Sequence, residues 1–406
     1  MPGTWLTGER PGARTHADDT APRQWRAILL ALTDRDGSDP PGGGSLDELE
    51  RLAATDGIGV ADRMVQVRGR PDPATYLGSG KVRELAELVG SRHADVVIAD
   101  GELTPAQVRG LEDGTGVRVV DRTGLILDIF AEHARSFEGK AQVELAQLAY
   151  ELPRLRGHGR EMSRIGGGRM AGGAGTGVRG RGEMRLEIQR RHLRRRMRTL
   201  REQVRRTARR REVTRRRRTR DRVPSVAITG YTNAGKSALL NRLAGADAEV
   251  ADVLFATLDP LVRQVRTPDG LTYTLTDTVG FVRRLPHQLV DAFRSTLEEV
   301  TRADLALHVV DASSPQATEH IATVRGVLGD IGAQDVPELL VLNKADLAAP
   351  EQMDTLRRIH PAAVPVSART GEGLDDLRDA LRDRLAALFP PDRARTATPA
   401  DTEGSP

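Results

Sequence analysis

Hydrophobic and polar positions follow two rhythms along this chain, and the rhythms divide it into blocks. Trp25 to Leu32 is an apolar run, the pattern of a strand buried on both faces. Leu46, Leu49 and Leu52 recur at helical spacing behind Ser45, which is placed to cap them. Ile58 to Val67 predicts a strand, and Val82, Leu85, Leu88 and Val89 predict a helix. Val96 to Ala99 predicts the next strand, Thr104 caps a helix, Val117 to Val120 is a strand, and Leu125 to Ala134 is helical. Alternation of this kind predicts a small α/β domain over residues 24–139 with a largely parallel sheet.

From 140 to 156 the period becomes helical throughout, with Val143, Leu145, Leu148 and Leu152 on one face. A glycine- and arginine-rich stretch, 157–182, lacks any apolar period and reads as a loop. From Glu183 the helical period returns, and Leu186, Leu193, Met197, Leu200 and Val204 are spaced as a coiled-coil seam requires. Residues 140–222 therefore predict an antiparallel helical hairpin with the loop at its tip. Residues 223–389 return to alternating strands and helices, a second α/β domain with a mostly parallel sheet and flanking helices. The ends, 1–23 and 390–406, are rich in Pro, Gly, Thr and Asp and read as disordered tails.

Charge changes the picture in one place. The whole chain is +4, yet Arg181 to Arg222 holds twenty arginines against five acidic residues. Such a run repels itself unless a polyanion neutralises it, which favours an RNA partner over a merely solvated helix face. Aromatics are 3% of the chain, which argues against base stacking as a main binding mode. With no cysteine there is no disulfide framework and no thiolate metal site. No apolar run approaches membrane-spanning length and none resembles a signal peptide, so the expectation is a soluble cytoplasmic protein, working as a monomer.

The chemistry concentrates in the second α/β domain. Gly230, Tyr231, Thr232, Asn233, Ala234, Gly235, Lys236 and Ser237 form G-x-x-x-x-G-K-S between an apolar strand, Val226 to Ile228, and a helix carrying Leu239, Leu240 and Leu243. That context makes a phosphate loop: backbone N–H groups and a helix N-terminus converge on one point. Lys236 is placed to reach the β/γ-phosphates and Ser237 to put its hydroxyl on Mg²⁺. Asp277, Thr278, Val279 and Gly280 follow a strand, with Asp277 placed to hold Mg²⁺ through water and the Gly280 N–H to meet a γ-phosphate. Asn343, Lys344, Ala345 and Asp346 follow the buried run Leu339 to Leu342. The Asp346 carboxylate can accept two N–H bonds from guanine, whereas adenine would leave it unpaired. Ser367, Ala368 and Arg369 follow another apolar run and are placed to close over the base.

Between the first two motifs lie Phe255, Ala256, Thr257, Leu258 and Asp259, with Thr257 the switch threonine that would complete the Mg²⁺ shell. Position 281 is Phe, where several GTPases place a water-orienting Gln. This predicts slow intrinsic hydrolysis and leaves the catalytic group unassigned. Asn233 is placed to add an oxygen for a monovalent cation such as K⁺. Gly78-Ser79-Gly80-Lys81 imitates a phosphate loop but lacks the preceding buried strand and the full spacing.

The combination resembles the HflX-type GTPases, ribosome-associated members of the translation-factor-related P-loop class. The resemblance spans about 24–389 and rests on residues 230–237, 254–260, 277–281 and 343–346, with Tyr76–Lys81, Asp121–Thr123, Gln142–Leu148 and the glycine loop outside the GTP domain. It implies a GTPase that binds the large ribosomal subunit and its rRNA when loaded with GTP, splits or rescues stalled or idle ribosomes, and leaves on hydrolysis to GDP. Arg181, Met184, Ala238 and Leu261 depart from the family pattern. Two other readings remain: a GTP-gated partner of an RNA-modifying enzyme, and an RNA-binding switch with little turnover.

Overall fold

The first buried run becomes β1 (Arg26–Thr33) in the computed structural model, which describes residues 24–33, 43–155, 177–220, 223–245, 254–255, 261–267, 270–283 and 294–389. Around β1 stand α1 (Gly43–Thr55), β2 (Gly59–Val67), α2 (Ser79–Arg92), β3 (Val96–Ala99), α3 (Pro105–Thr115), β4 (Arg118–Asp121) and α4 (Arg122–His133). Every strand pairing here is parallel, in the order β2-β1-β3-β4. Parallel strands carry helices on both faces, which is why β3 is buried at all four positions and reads as an unbroken apolar run. Thr104 caps α3 as expected, in a full capping box with Gln107. The helix α1 starts at Gly43, two residues before Ser45, so the start lies earlier than the sequence pattern places it.

The helix α5 (Phe137–Arg154) follows, then α6 (Gly177–Arg220), a single helix of 44 residues. The span 157–182 is thus not loop to its end, because α6 already includes Gly177–Gly182. Once nucleated, a helix extends at little cost per residue, and the arginine-rich sequence behind it favours extension. Leu193, Met197, Leu200 and Val204 pack against Ala141, Leu145, Leu148, Ala149 and Leu152 of α5, so most of the seam exists; Leu186 is not part of it. Arg196 grips Glu144 with two bonds, Nε at 2.6 Å and Nη2 at 2.7 Å.

The second sheet has the order β10-β9-β8-β5-β7-β6. It is built from β5 (Ser225–Gly230), β6 (Leu261–Arg266), β7 (Thr272–Asp277), β8 (Leu305–Asp311), β9 (Glu338–Asn343) and β10 (Val364–Pro365). Only the edge pair β6–β7 is antiparallel. Edge strand β6 alternates exposed and half-buried residues and carries Arg263 and Arg266, which discourages further strand pairing. Helices α7 (Lys236–Ala244), α8 (Arg294–Thr301), α9 (Ala317–Asp330), α10 (Pro350–Ile359) and α11 (Leu374–Leu388) accompany the strands. Val226, Ile228, Leu240, Leu275, Leu307, Val341 and Leu381 form the core that joins β5, β7, β8 and β9 to α7 and α11. Each such side chain contributes roughly 1.5–3 kcal/mol by leaving water.

The chain falls into two compact units. One consists of residues up to Arg215 with Ala251–Pro260 and Val282–Leu297; the other consists of Arg216–Val250, Leu261–Phe281 and the remainder from Glu298. Among the described residues, no helix is long and apolar enough to cross a membrane.

Candidate functional site

The second unit gathers its sequence motifs at the carboxyl ends of β5, β7, β8 and β9, the end at which open parallel sheets bind ligands. The loop between β5 and α7 is pinned from both sides. On one side the Thr232 N–H donates to the Phe281 carbonyl at 2.7 Å, and the Phe281 N–H donates to Gly230 O at 3.1 Å. On the other, the Asn343 amide donates through Nδ2 to Ala234 O at 2.8 Å, while its Oδ1 accepts the Ala368 N–H at 3.0 Å. One buried side chain therefore ties residues 230–237 to residues 367–369.

Glycine is required at several points, Gly235 and Gly280 among them. Gly235 has φ +90, and a Cβ there would stand 2.2 Å from Asn343 Nδ2. At Gly280 a Cβ would lie 2.9 Å from Lys236 Nζ, so this glycine lets the residue 277–280 turn close directly on the lysine.

Lys236 is buried, and its Nζ donates to Tyr231 O at 2.8 Å. Burial lowers its pKa to about 8, with the Asp277 carboxylate pulling the other way. Ser237 Oγ donates to Asp277 Oδ2 at 2.6 Å, and Asp277 itself is fully buried. A hydroxyl and a carboxylate side by side beneath a phosphate loop are the hard-oxygen donors that Mg²⁺ prefers. Thr278 turns its hydroxyl inward to Ile228 O at 2.7 Å, so it holds the strand ends together.

Beyond Asn343, Lys344 adopts φ +59 and reaches Asp311 Oδ2 at 2.8 Å. The Ala345 N–H bonds Val366 O, bringing residues 343–346 beside residues 367–369. Asp346 is drawn below the usual carboxylate range, chiefly by a hydrogen bond from Ser367 and then by Arg369. Arg242 of α7 braces the neighbouring turn through Nε to Ala368 O at 2.9 Å and Nη2 to Arg369 O at 2.6 Å.

The chain has sequence relatives along most of its length. A profile described as "GTP-binding GTPase N-terminal" matches residues 44–131, "GTP-binding GTPase Middle Region" matches 133–218, and "50S ribosome-binding GTPase" matches 225–344. GTPase HflX of Caldanaerobacter subterraneus subsp. tengcongensis is 47% identical over 377 residues, covering 91% of this chain and 84% of its own. GTPase HflX of Escherichia coli is 44% identical over 343 residues, covering 84% and 79%. The chain belongs to the HflX family of GTPases.

For this HflX-family chain, the structure brings together Gly230–Ser237, Asp277–Gly280, Asn343–Asp346 and Ser367–Arg369, four stretches that the sequence reading put in one site. Ala256, Thr257, Leu258 and Asp259 lie outside the described residues. Phe255 is buried, and its ring packs on Phe130 of the same unit, centroids 4.4 Å apart. Phe281 is buried as well, and its backbone rather than its ring serves the loop. Two supporting residues were not read from sequence. Asp311, a charge ending the apolar run Leu305–Val310, was a usable signal; Arg242, on a helix face with no motif around it, gave none.

Proposed function

We propose that this GTPase binds the large ribosomal subunit through its rRNA in a GTP-dependent way, separates stalled or idle ribosomes, and departs on hydrolysis to GDP. The observation that carries this reading is the two-faced helix α6. Its apolar seam packs on α5, while Arg194, Arg195, Arg198, Arg201, Arg205, Arg206 and Arg209 face solvent on the rest of its surface. A rigid rod with arginine on its outward faces fits the phosphate backbone of folded RNA. The description of the profile matching 225–344 supports the ribosome as the RNA's bearer.

The nucleotide site supports the switch. Gly230–Ser237 would cradle the phosphates, Asp346 and Asn343–Ala345 the guanine, with Ser367–Arg369 alongside. Ser237, Thr257 and Asp277 would hold Mg²⁺, which neutralises phosphate charge when bound. Asn233, exposed at the loop's corner with φ +60, would serve a K⁺ ion; equal turnover in K⁺ and Na⁺ would remove that role. Burial of Phe281 favours slow turnover by the protein alone, so the ribosome supplies or orders the missing group.

Pelleting through a sucrose cushion with purified subunits tests the reading. Large subunits should carry the protein down with a non-hydrolysable GTP analogue and much less with GDP. Its retention should fall steeply with salt, about 0.9 log unit per log unit for each phosphate neutralised on a duplex. Nucleotide-independent or salt-independent retention would defeat the proposal.

A further inference from the structure

Asp346 is already held by a side chain of its own unit. Arg369 Nε donates to Asp346 Oδ2 at 3.0 Å, and Arg369 Nη2 bonds the same oxygen. The carboxylate is recessed, its side chain 10% exposed, while the arginine side chain is 70% exposed and reaches in from outside. A guanidinium presents adjacent N–H donors in one plane and cannot shed its charge. The guanine edge that a carboxylate reads, N1–H beside N2–H₂, offers the same planar pair of donors. Arg369 therefore resembles, chemically, the base edge it sits in place of.

The backbone beneath this side chain is fixed. Arg369 O accepts from Arg242, Ala368 N–H is bound by Asn343, and the turn beyond closes with Thr370 N–H on Ser367 Oγ at 3.0 Å and Gly371 N–H on Ser367 O at 2.8 Å. The arm can swing without the loop unfolding. Asp346 has one recess, so guanine and guanidinium exclude one another there.

Building on the reading of Asp346 as the guanine contact, we propose that Arg369 is an intramolecular stand-in for guanine: it holds Asp346 between nucleotides, is displaced by the incoming base, and recaptures the carboxylate when the base lifts away. Each nucleotide must break an ion pair to enter, and each departing one is replaced from within. The result is weaker binding and faster exchange than the same loops would give with the arm removed. With its arginine side open to solvent, an ion pair of this kind gives roughly a two- to fivefold effect.

Fluorescent GDP and stopped-flow mixing test this on the full chain. Arg369→Ala should bind GDP about two- to fivefold tighter, with slower dissociation, and the gap should close in high salt as the pair is screened in the parent. Arg369→Lys, a point charge without the planar fork, should fall between. Unchanged or weaker GDP binding by a folded Arg369→Ala protein would overturn the proposal. A second background isolates the partner. Asp346→Asn should move preference from guanosine to xanthosine diphosphate, because the amide donates where xanthine bears an oxygen. Adding Arg369→Ala to Asp346→Asn should leave xanthosine diphosphate affinity unchanged; a further gain would show that the arm acts elsewhere and overturn the proposal. If the parent shows no preference for GDP over ADP and Asp346→Asn gains none for xanthosine diphosphate, the reading of Asp346 itself falls, and the proposal with it.

Discussion

At the carboxyl ends of its parallel strands, the first unit carries Asp100, Asp121 and Arg122, and each is engaged within that unit. Arg122 bonds Glu48 and Asp100, both at 2.8 Å, in a site almost closed to water. Asp121, fully buried, accepts from the Leu103 and Gly124 N–H groups, the Tyr150 hydroxyl and Arg154 Nη2 at 2.7–3.0 Å. The second unit has the same strand-and-helix construction and uses the corresponding end differently. There the loop between β5 and α7 carries Gly230 and Gly235, and its backbone wraps a point. Architecture decided where polar groups could gather in each unit; loop chemistry decided whether they close on each other or on a ligand.

The comparison breaks most sharply at Arg122. Arg122→Met leaves Glu48 and Asp100 buried without their cation, and should cost about 3–5 kcal/mol of stability by urea unfolding. GTP affinity of the protein that remains folded should be unchanged. A loss below about 1 kcal/mol would mean that the first unit's charges do not hold it together.

A medium effect belongs to Lys236. Its folded-state pKa is depressed to about 8 from 10.5, while phosphate binding requires the charged form. GTP association should therefore weaken by about fivefold between pH 8 and pH 9, with proton uptake on binding measurable by calorimetry in buffers of different ionisation enthalpy. The nucleotide-free protein should move the other way. Between about 8 and 10.5 the unfolded chain binds more protons at this site than the folded one, so stability from this group rises with pH. Lys236→Met should abolish both slopes.

The smallest effect is expected on the hairpin surface. Arg196 bonds Glu144 in the open, and Arg196→Ala should cost less than 1 kcal/mol, shrinking further in salt. A cost as large as that at Arg122 would erase the contrast between buried and exposed pairs in this chain.

Legibility followed locality. The phosphate loop was readable because its chemistry needs eight consecutive residues with glycine at fixed places. Both α/β units were readable because parallel strands buried on two faces leave unbroken apolar runs, as at Val96–Ala99. The pairing of Arg369 with Asp346 and the bracing by Arg242 were not, because each joins residues far apart in sequence without a periodic signature. The packing of Phe255 on Phe130 was not readable for the same reason, since the two rings are 125 positions apart. The start of α6 at Gly177 was missed because glycine content speaks for a loop, whereas the long helix behind it carried the chain onward.

The double bond of Asn343 has a consequence for measurement as well as for shape. By gripping Ala234 and Ala368 at once, one amide sets the distance between residues 230–237 and residues 367–369, which on the proposed reading flank the triphosphate and the purine. On that reading the protein would act as a gauge for a whole nucleotide: a base without phosphates, or phosphates without a base, would span only one jaw.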